Sequence, residues 1–146
     1  MDLNQVEVVA PALAARIAGA ERGQARRFAF RVARLACSVA GVLDNTALEV
    51  ARGGLEHYPE IEELVKLWEL ERRLESACEA SLGTDPRTAD PAQLHLHDEC
   101  IEARAVAAVI AALKPDSLAA ARDATREALA AGCDRVVLED LASELL

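Results

Sequence analysis

Alanine is the feature of this sequence that most restricts its fold. The chain of 146 residues contains 31 alanines and only four aromatic residues. Alanine is the strongest helix former and has little side-chain volume, whereas a β-sheet needs β-branched and aromatic side chains to fill its pleated surface. The composition therefore predicts an all-α protein whose helices pack closely over small side chains.

Hydrophobic periodicity and capping residues place the helices along the chain. Phe28, Val32, Leu35, Val39 and Val42 recur at steps of three and four, which predicts an amphipathic helix over residues 24–43. Start and stop signals, including Asp, Pro and Gly at the expected positions, predict the other helices. Their ranges are 11–21, 47–52, 60–82, 92–113, 118–131 and from 134 onwards. Residues 1–10 have no clear period.

The predicted helix 92–113 changes character along its length. It is polar as far as Glu102 and then nearly apolar on all sides from Ala103 to Leu113. A helix that is apolar on every side is typically central and buried. We therefore predict a compact bundle of five to seven helices around this central apolar helix, with residues 1–146 forming a single helical domain.

Trp68 and Tyr58 are two of the four aromatic residues, and each could lie in the core or at an interface. Aromatic residues concentrate at protein interfaces as well as in cores. Because the chain has so few of them, we expect Trp68 to be the main filler of the core among its alanine neighbours.

The net charge of −9 bears on the possible partners. An acidic molecule repels phosphate backbones and anionic lipid surfaces, so we expect no nucleic acid and no membrane partner. Arg26, Arg27, Arg31 and Arg34 form a basic group near the amino terminus, without interleaved aromatic residues. We expect these arginines to pair with the Glu-rich helices within the fold or to face water.

The four cysteines, Cys37, Cys78, Cys100 and Cys133, are widely spaced and lie in apolar or alanine-rich contexts. No pair has the two-residue spacing of a zinc knuckle or a redox motif, so all four are predicted to be buried free thiols. The first residues lack a basic region followed by an apolar stretch, and no apolar run has the length of a membrane span. Together these absences predict a cytoplasmic protein.

The densest polar group is the set His95, Asp98, Glu99 and Glu102. At helical spacing these residues form one stripe on the predicted helix 92–113, and we expect this acidic face to bind a protein partner. A metal ion held by His95, Glu99 and a facing helix is the alternative, although no Glu-x-x-His pair of the kind used by di-metal bundles is present. We expect no metal and no cofactor.

The same predicted helix contains three further residues with reactive or charged side chains, His97, Cys100 and Arg104. His97 shares a stripe with apolar residues and is predicted to be a partly buried structural histidine. Cys100 follows it by three residues, but no third residue is evident to orient a Cys–His dyad. Arg104 stands in an apolar stretch and requires a carboxylate partner. The common nucleotide-binding, metalloprotease and hydrolase motifs are absent, so an enzyme is disfavoured and we assign no catalytic residue.

Three segments of the second half are similar to those of small helical immunity proteins of bacterial toxin systems. They are Ala103-Arg104-Ala105-Val106-Ala107-Ala108-Val109, then Lys114-Pro115-Asp116-Ser117-Leu118-Ala119-Ala120-Ala121, and Arg126-Glu127-Ala128-Leu129-Ala130-Ala131. The resemblance implies a cytoplasmic protein that binds and blocks a cognate toxin, and an acidic surface suits a basic, nuclease-like target.

Three functions are therefore open from the sequence. The first is a protein-binding module, with an immunity protein as its specific form. The second is a metal-binding helical-bundle enzyme or carrier. The third is a homo-oligomeric scaffold that uses the apolar surplus of the predicted helix 60–82 and of the last helix.

Overall fold

The computed structural model describes residues 6–146, except for the side chain of Pro91. Within this part of the chain there are nine α-helices, one short 3-10 helix and no strand, which confirms the all-α prediction. The helices are α1 (Val6–Val9), α2 (Pro11–Ala18), α3 (Arg22–Ala40), α4 (Asn45–Gly53), α5 (Ile61–Leu82), α6 (Pro91–Leu94), α7 (Asp98–Ala112), α8 (Ser117–Ala130) and α9 (Arg135–Leu145), with the 3-10 helix over Pro86–Thr88.

The helices fall into two size classes. Helices α1 and α6 have four residues each, and the other seven described helices have at least eight. Seven longer helices agree with the predicted bundle of five to seven. The longest, α5, has 22 residues and carries charged residues throughout. In the part of the chain that the structure describes, no helix combines the length and the apolar character needed to cross a membrane.

Aspartate side chains begin four of the described α-helices, and the sequence predicts this for Asp44, Asp90 and Asp116. Each accepts a hydrogen bond from a backbone N–H of the first turn, at distances between 2.7 and 3.0 Å. Such a cap satisfies one of the N–H groups that a helix leaves without an internal partner. The pairs are Asp44 with Ala47, Asp90 with Ala92, Asp116 with Ala119, and Asp134 with Val136.

Helix α3 ends three residues earlier than predicted. Gly41 has a positive φ of 72°, and the N–H of Val42 donates to the Cys37 carbonyl oxygen at 3.0 Å. This left-handed cap closes a helix efficiently when the residue is glycine. Val42 then folds back into the core, and Leu43 lies outside the helix with 86% of its surface exposed.

Helix α7 is the central helix of the bundle. Nine of its fifteen residues are buried, and it packs against α3, α5 and α8. Alanine side chains on several sides, such as Ala103, Ala105 and Ala108, are at most 1% exposed and let the neighbouring backbones come close. The prediction of a central apolar helix is thus confirmed over residues 103–112.

The predicted continuous helix over residues 92–113 is wrong. The chain forms the single turn α6, turns again, and enters α7 through His97, whose backbone is extended. Leu94 and Cys100 are both buried in a small cluster with Cys78 and Ala89. In one helix, at 100° per residue, positions 94 and 100 would point about 120° apart. The turn lets both side chains reach the same cluster.

Candidate functional site

The break before α7 divides the predicted acidic stripe. His95 lies between α6 and α7, and its Nε2 is 2.9 Å from the carbonyl oxygen of Ala130 on α8. Asp98, Glu99 and Glu102 follow the break, in the first two turns of α7. The expectation that all four residues share one helical face is therefore wrong for His95. We call the three carboxylates Asp98, Glu99 and Glu102 the acidic cluster.

The carboxylates of the acidic cluster influence one another. Partial burial raises the pKa of Glu102, and the negative charges of Asp98 and Glu99 raise it further. The pKa of Glu99 is lowered instead, because the Ser81 hydroxyl on α5 donates a hydrogen bond to it. Asp98 is exposed to solvent. The cluster is thus a mutually repelling acidic patch at the start of α7, with one member tied to α5.

A disulfide between Cys78 and Cys100 joins α5 to α7 next to this patch. The prediction of four free thiols is therefore wrong for these two cysteines and correct for Cys37 and Cys133, which are free and buried. Burial raises the pKa of both free thiols to about 11. Neither has the low pKa of a reactive cysteine.

The disulfide also excludes a catalytic dyad of Cys100 and His97. Cys100 is bonded to Cys78 and has no thiol for His97 to activate. His97 is partly buried, as predicted, and stands at the position before α7. Among residues 6–146 no three His, Cys, Asp or Glu side chains converge in a way that would hold a metal ion.

Arg104 has the carboxylate partners that its position in an apolar stretch requires. Its guanidinium pairs with Glu75 on α5 and with Glu127 on α8, the latter at 2.8 Å. Burial alone would lower the pKa of Arg104, but Glu127, Glu75 and the nearby Glu71 raise it. The pKa of Glu71 is also raised, by its burial and by the carboxylates of Glu75 and Glu127, while Arg104 opposes this change. The network ties α5, α7 and α8 together and has a structural role.

The four arginines of the basic group on α3 differ in their contacts. Arg26 donates to the carbonyl oxygens of Ala112 and Pro115, at 2.7 and 2.8 Å, and to that of Lys114. It therefore completes the carboxyl end of α7, where carbonyl groups lack internal partners, instead of pairing with glutamates as expected. Arg27, Arg31 and Arg34 are exposed.

The exposed side of α5 carries three of the large apolar side chains that the fold leaves in contact with solvent, including the tryptophan. Ile61, Val65 and Trp68 are 63%, 40% and 47% exposed, and their spacing of four and three residues puts them on one face. Exposed Tyr58 precedes them in the segment that leads into α5. The prediction that Trp68 fills the core is wrong. We call Ile61, Val65 and Trp68 the α5 stripe.

No family model, no curated protein and no solved structure matches this chain. The resemblance to immunity proteins therefore stays a prediction.

Of the α5 stripe, only Trp68 is predicted from the sequence to lie in the core. Helix α5 has two apolar faces: Leu67 and Leu70 are buried against the bundle, and the α5 stripe points elsewhere. A helix that buries one face needs only about 100° of apolar surface. The second face exceeds that need, and it corresponds to the apolar surplus that the sequence shows in the predicted helix 60–82.

Proposed function

We propose that this chain is a protein-binding module and that the α5 stripe makes the central contact with its partner. The observation that carries the proposal is an exposed tryptophan that shares one helix face with two exposed branched aliphatic side chains, Ile61 and Val65. Tryptophan and tyrosine dominate the residues whose truncation weakens protein complexes most. A stripe of this kind fits a complementary apolar groove on a partner.

The charges around the stripe indicate the chemistry of that partner. Residues 56–69 contain five glutamates and a single lysine. The apolar centre is therefore bordered by negative charge, an arrangement that favours a basic partner and speeds its association. The charged residues are Glu56, Glu60, Glu62, Glu63, Glu69 and Lys66.

A basic toxin neutralised by this chain is the specific form of the proposal. The support is the resemblance of the second half to immunity proteins, together with the net charge of −9. In that role the chain acts by covering the toxin surface and needs no catalytic group of its own. Growth of cells that express the candidate toxin tests this form: the chain should restore growth, and the Trp68→Ala variant should restore it less.

Binding is measured with the partner captured from the host and then purified. Trp68→Ala should weaken the complex at least about tenfold, because a central aromatic contact contributes on the order of 2 kcal/mol. The association rate should fall as salt is added, since the steering charges are exposed. Unchanged affinity of Trp68→Ala would contradict the proposed surface.

A pair of valines supplies a matched control. Val65 in the α5 stripe is 40% exposed and Val8 in α1 is 42% exposed, so truncating either removes the same atoms from a similar setting. Val65→Ala should weaken binding and Val8→Ala should not. Reversal of Asp98, Glu99 and Glu102 to lysine tests the acidic cluster as a second contact, and unchanged affinity would exclude it as a recognition surface.

We propose the cytoplasm as the place of action, in line with the immunity-protein resemblance. Cytosolic thiol buffers keep most cysteines reduced, and the Cys78–Cys100 disulfide is the observation that opposes this proposal. Fractionation of host cells should recover the chain with cytoplasmic markers. A chain recovered outside the cytoplasm would contradict the proposal.

A further inference from the structure

An open groove lies between α3, α4 and α9. Its volume is about 720 Å³, and its floor is apolar, with Leu35, Leu48 and Leu141 partly buried there. The lining residues of α3 and of α9 each recur at steps of three and four, so one face of each helix forms a wall. We call this cavity the α9 groove.

The two walls of the α9 groove carry opposite charges. Arg31 and Arg34 on α3, with Arg52 on α4, line one side, and Asp140 and Glu144 on α9 line the other. All five side chains are exposed. Within residues 6–146 none of them makes a hydrogen bond or an ion pair. The charges therefore face the same groove without pairing across it.

Two exposed apolar side chains line the groove beside its charged residues. Leu43 lines the groove at the end of α3, and Val137 lines it on α9. Val39 on α3 and Val136 on α9 are also about half exposed. Exposed apolar groups next to unpaired charges are typical of a surface that is covered in an assembly.

We propose that a second copy of this chain covers the α9 groove, forming a two-fold symmetric dimer. A two-fold interface brings the same surface of both molecules together, so it must be self-complementary. The α9 groove meets this condition because each copy offers both signs of charge. Asp140 and Glu144 of each molecule pair with the arginine wall of the other, and the exposed valines of α9 add apolar contact.

The net charge of the chain favours this face over the rest of its surface. Two molecules of charge −9 repel each other over most orientations. The groove walls contribute three arginines and two carboxylates, so this face is locally positive by one charge. Here two copies approach with attraction between opposite walls.

An occupant of a single charge sign satisfies only one wall of the groove. An acidic helix or a phosphate-bearing ligand would pair with Arg31, Arg34 and Arg52 but would bring negative charge against Asp140 and Glu144. A basic segment would have the reverse defect. A second copy places carboxylates at the arginine wall and arginines at the acidic wall.

Sedimentation of paired charge-reversal variants tests the dimer. The wild-type chain should sediment with the mass of a dimer, whereas R34E/R52E and D140R/E144R should each dissociate at least about tenfold more readily, because like charges then meet. A mixture of the two variants should recover the dimer, since the reversed walls are complementary. R72E/R73E, which reverses two exposed arginines of α5, should leave the dimer unchanged.

The results separate this inference from the proposed function. Circular dichroism confirms that each variant is folded, and Trp68→Ala should dimerise like the wild type because the α5 stripe lies on another helix. A wild-type mass equal to the monomer at high protein concentration would overturn the dimer. So would variants that dimerise as tightly as the wild type, or a mixture that fails to recover association.

Discussion

Helices α5 and α7 are neighbours with opposite surroundings. Helix α7 buries nine of its fifteen residues because three helices surround it, whereas α5 has 22 residues and buries three, Leu67, Leu70 and Cys78. The side chains of α7 are thus mostly enclosed, whereas α5 leaves Ile61, Val65 and Trp68 exposed. The difference shows that burial follows a residue's position in the bundle more than its size, because Phe28 and Leu67 are fully buried and Trp68 is 47% exposed.

Besides the Ser81–Glu99 hydrogen bond, two bonds of different kinds tie the two helices together. The Cys78–Cys100 disulfide is covalent, and the Arg104–Glu75 pair is electrostatic. Both hold the inner side of α5 against α7. The α5 stripe is therefore presented on a helix that is fixed in place, which lowers the entropy lost on binding.

Arg104→Ala should have the largest effect on this arrangement. The variant leaves Glu75 and Glu127 without their cation in a site where Arg104 is only 16% exposed. Loss of one member of a buried ion pair lowers the free energy of unfolding by about 3 kcal/mol or more. Urea denaturation measures this change, with exposed Arg72→Ala as the control. Equal losses for the two variants would contradict a structural role for the network.

Enlarging an alanine should also affect α5 and α7 differently, with a smaller change in the free energy of unfolding. Ala108 on α7 is fully buried, and Ala77 on α5 is exposed. Ala108→Leu should lower the free energy of unfolding by about 2 kcal/mol through overpacking, whereas Ala77→Leu should change it little. Thermal denaturation of both variants is the measurement. A tolerated leucine at position 108 would mean that α7 is not tightly enclosed.

Glu71→Gln should give the smallest effect, and one of opposite sign. Burial and the carboxylates of Glu75 and Glu127 raise the pKa of Glu71, while Arg104 opposes them. The ionised carboxylate is therefore less favourable in the folded state than in the unfolded state. At neutral pH the variant should be more stable by about 0.5 kcal/mol.

The pH dependence distinguishes this cause from a packing effect. As pH falls through the raised pKa of Glu71, the folded wild type takes up the proton and the advantage of Glu71→Gln should disappear. Glu75→Gln is the contrast, because it weakens the pair with Arg104 and should lower stability at neutral pH. A Glu71→Gln variant less stable than wild type at neutral pH would contradict the assignment.

The sequence predicted those features that depend on nearby residues. The aspartate caps at 44, 90 and 116, the amphipathic α3 and the alanine-rich centre of α7 all follow from local spacing, and the structure confirms them. These signals lie within one or two helical turns, where the physical interactions themselves are local.

Features that depend on distant residues were not predicted. Cys78 and Cys100 meet because α5 packs on α7, and no spacing in the sequence indicates that pairing. Trp68 belongs to a regular apolar stripe, and a stripe has the same period whether it faces the core or a partner. The divided acidic stripe has a similar origin, since the burial of Leu94 beside Cys100 requires the turn before α7.

The disulfide also closes a covalent ring in the chain. The two cysteines are 22 residues apart, and the ring contains the 3-10 helix, α6 and the turn that carries His95 and His97. A protease that cuts one peptide bond inside this ring therefore leaves the two fragments linked. The nicked protein keeps a single mass until a reductant is added, and only then do the fragments separate.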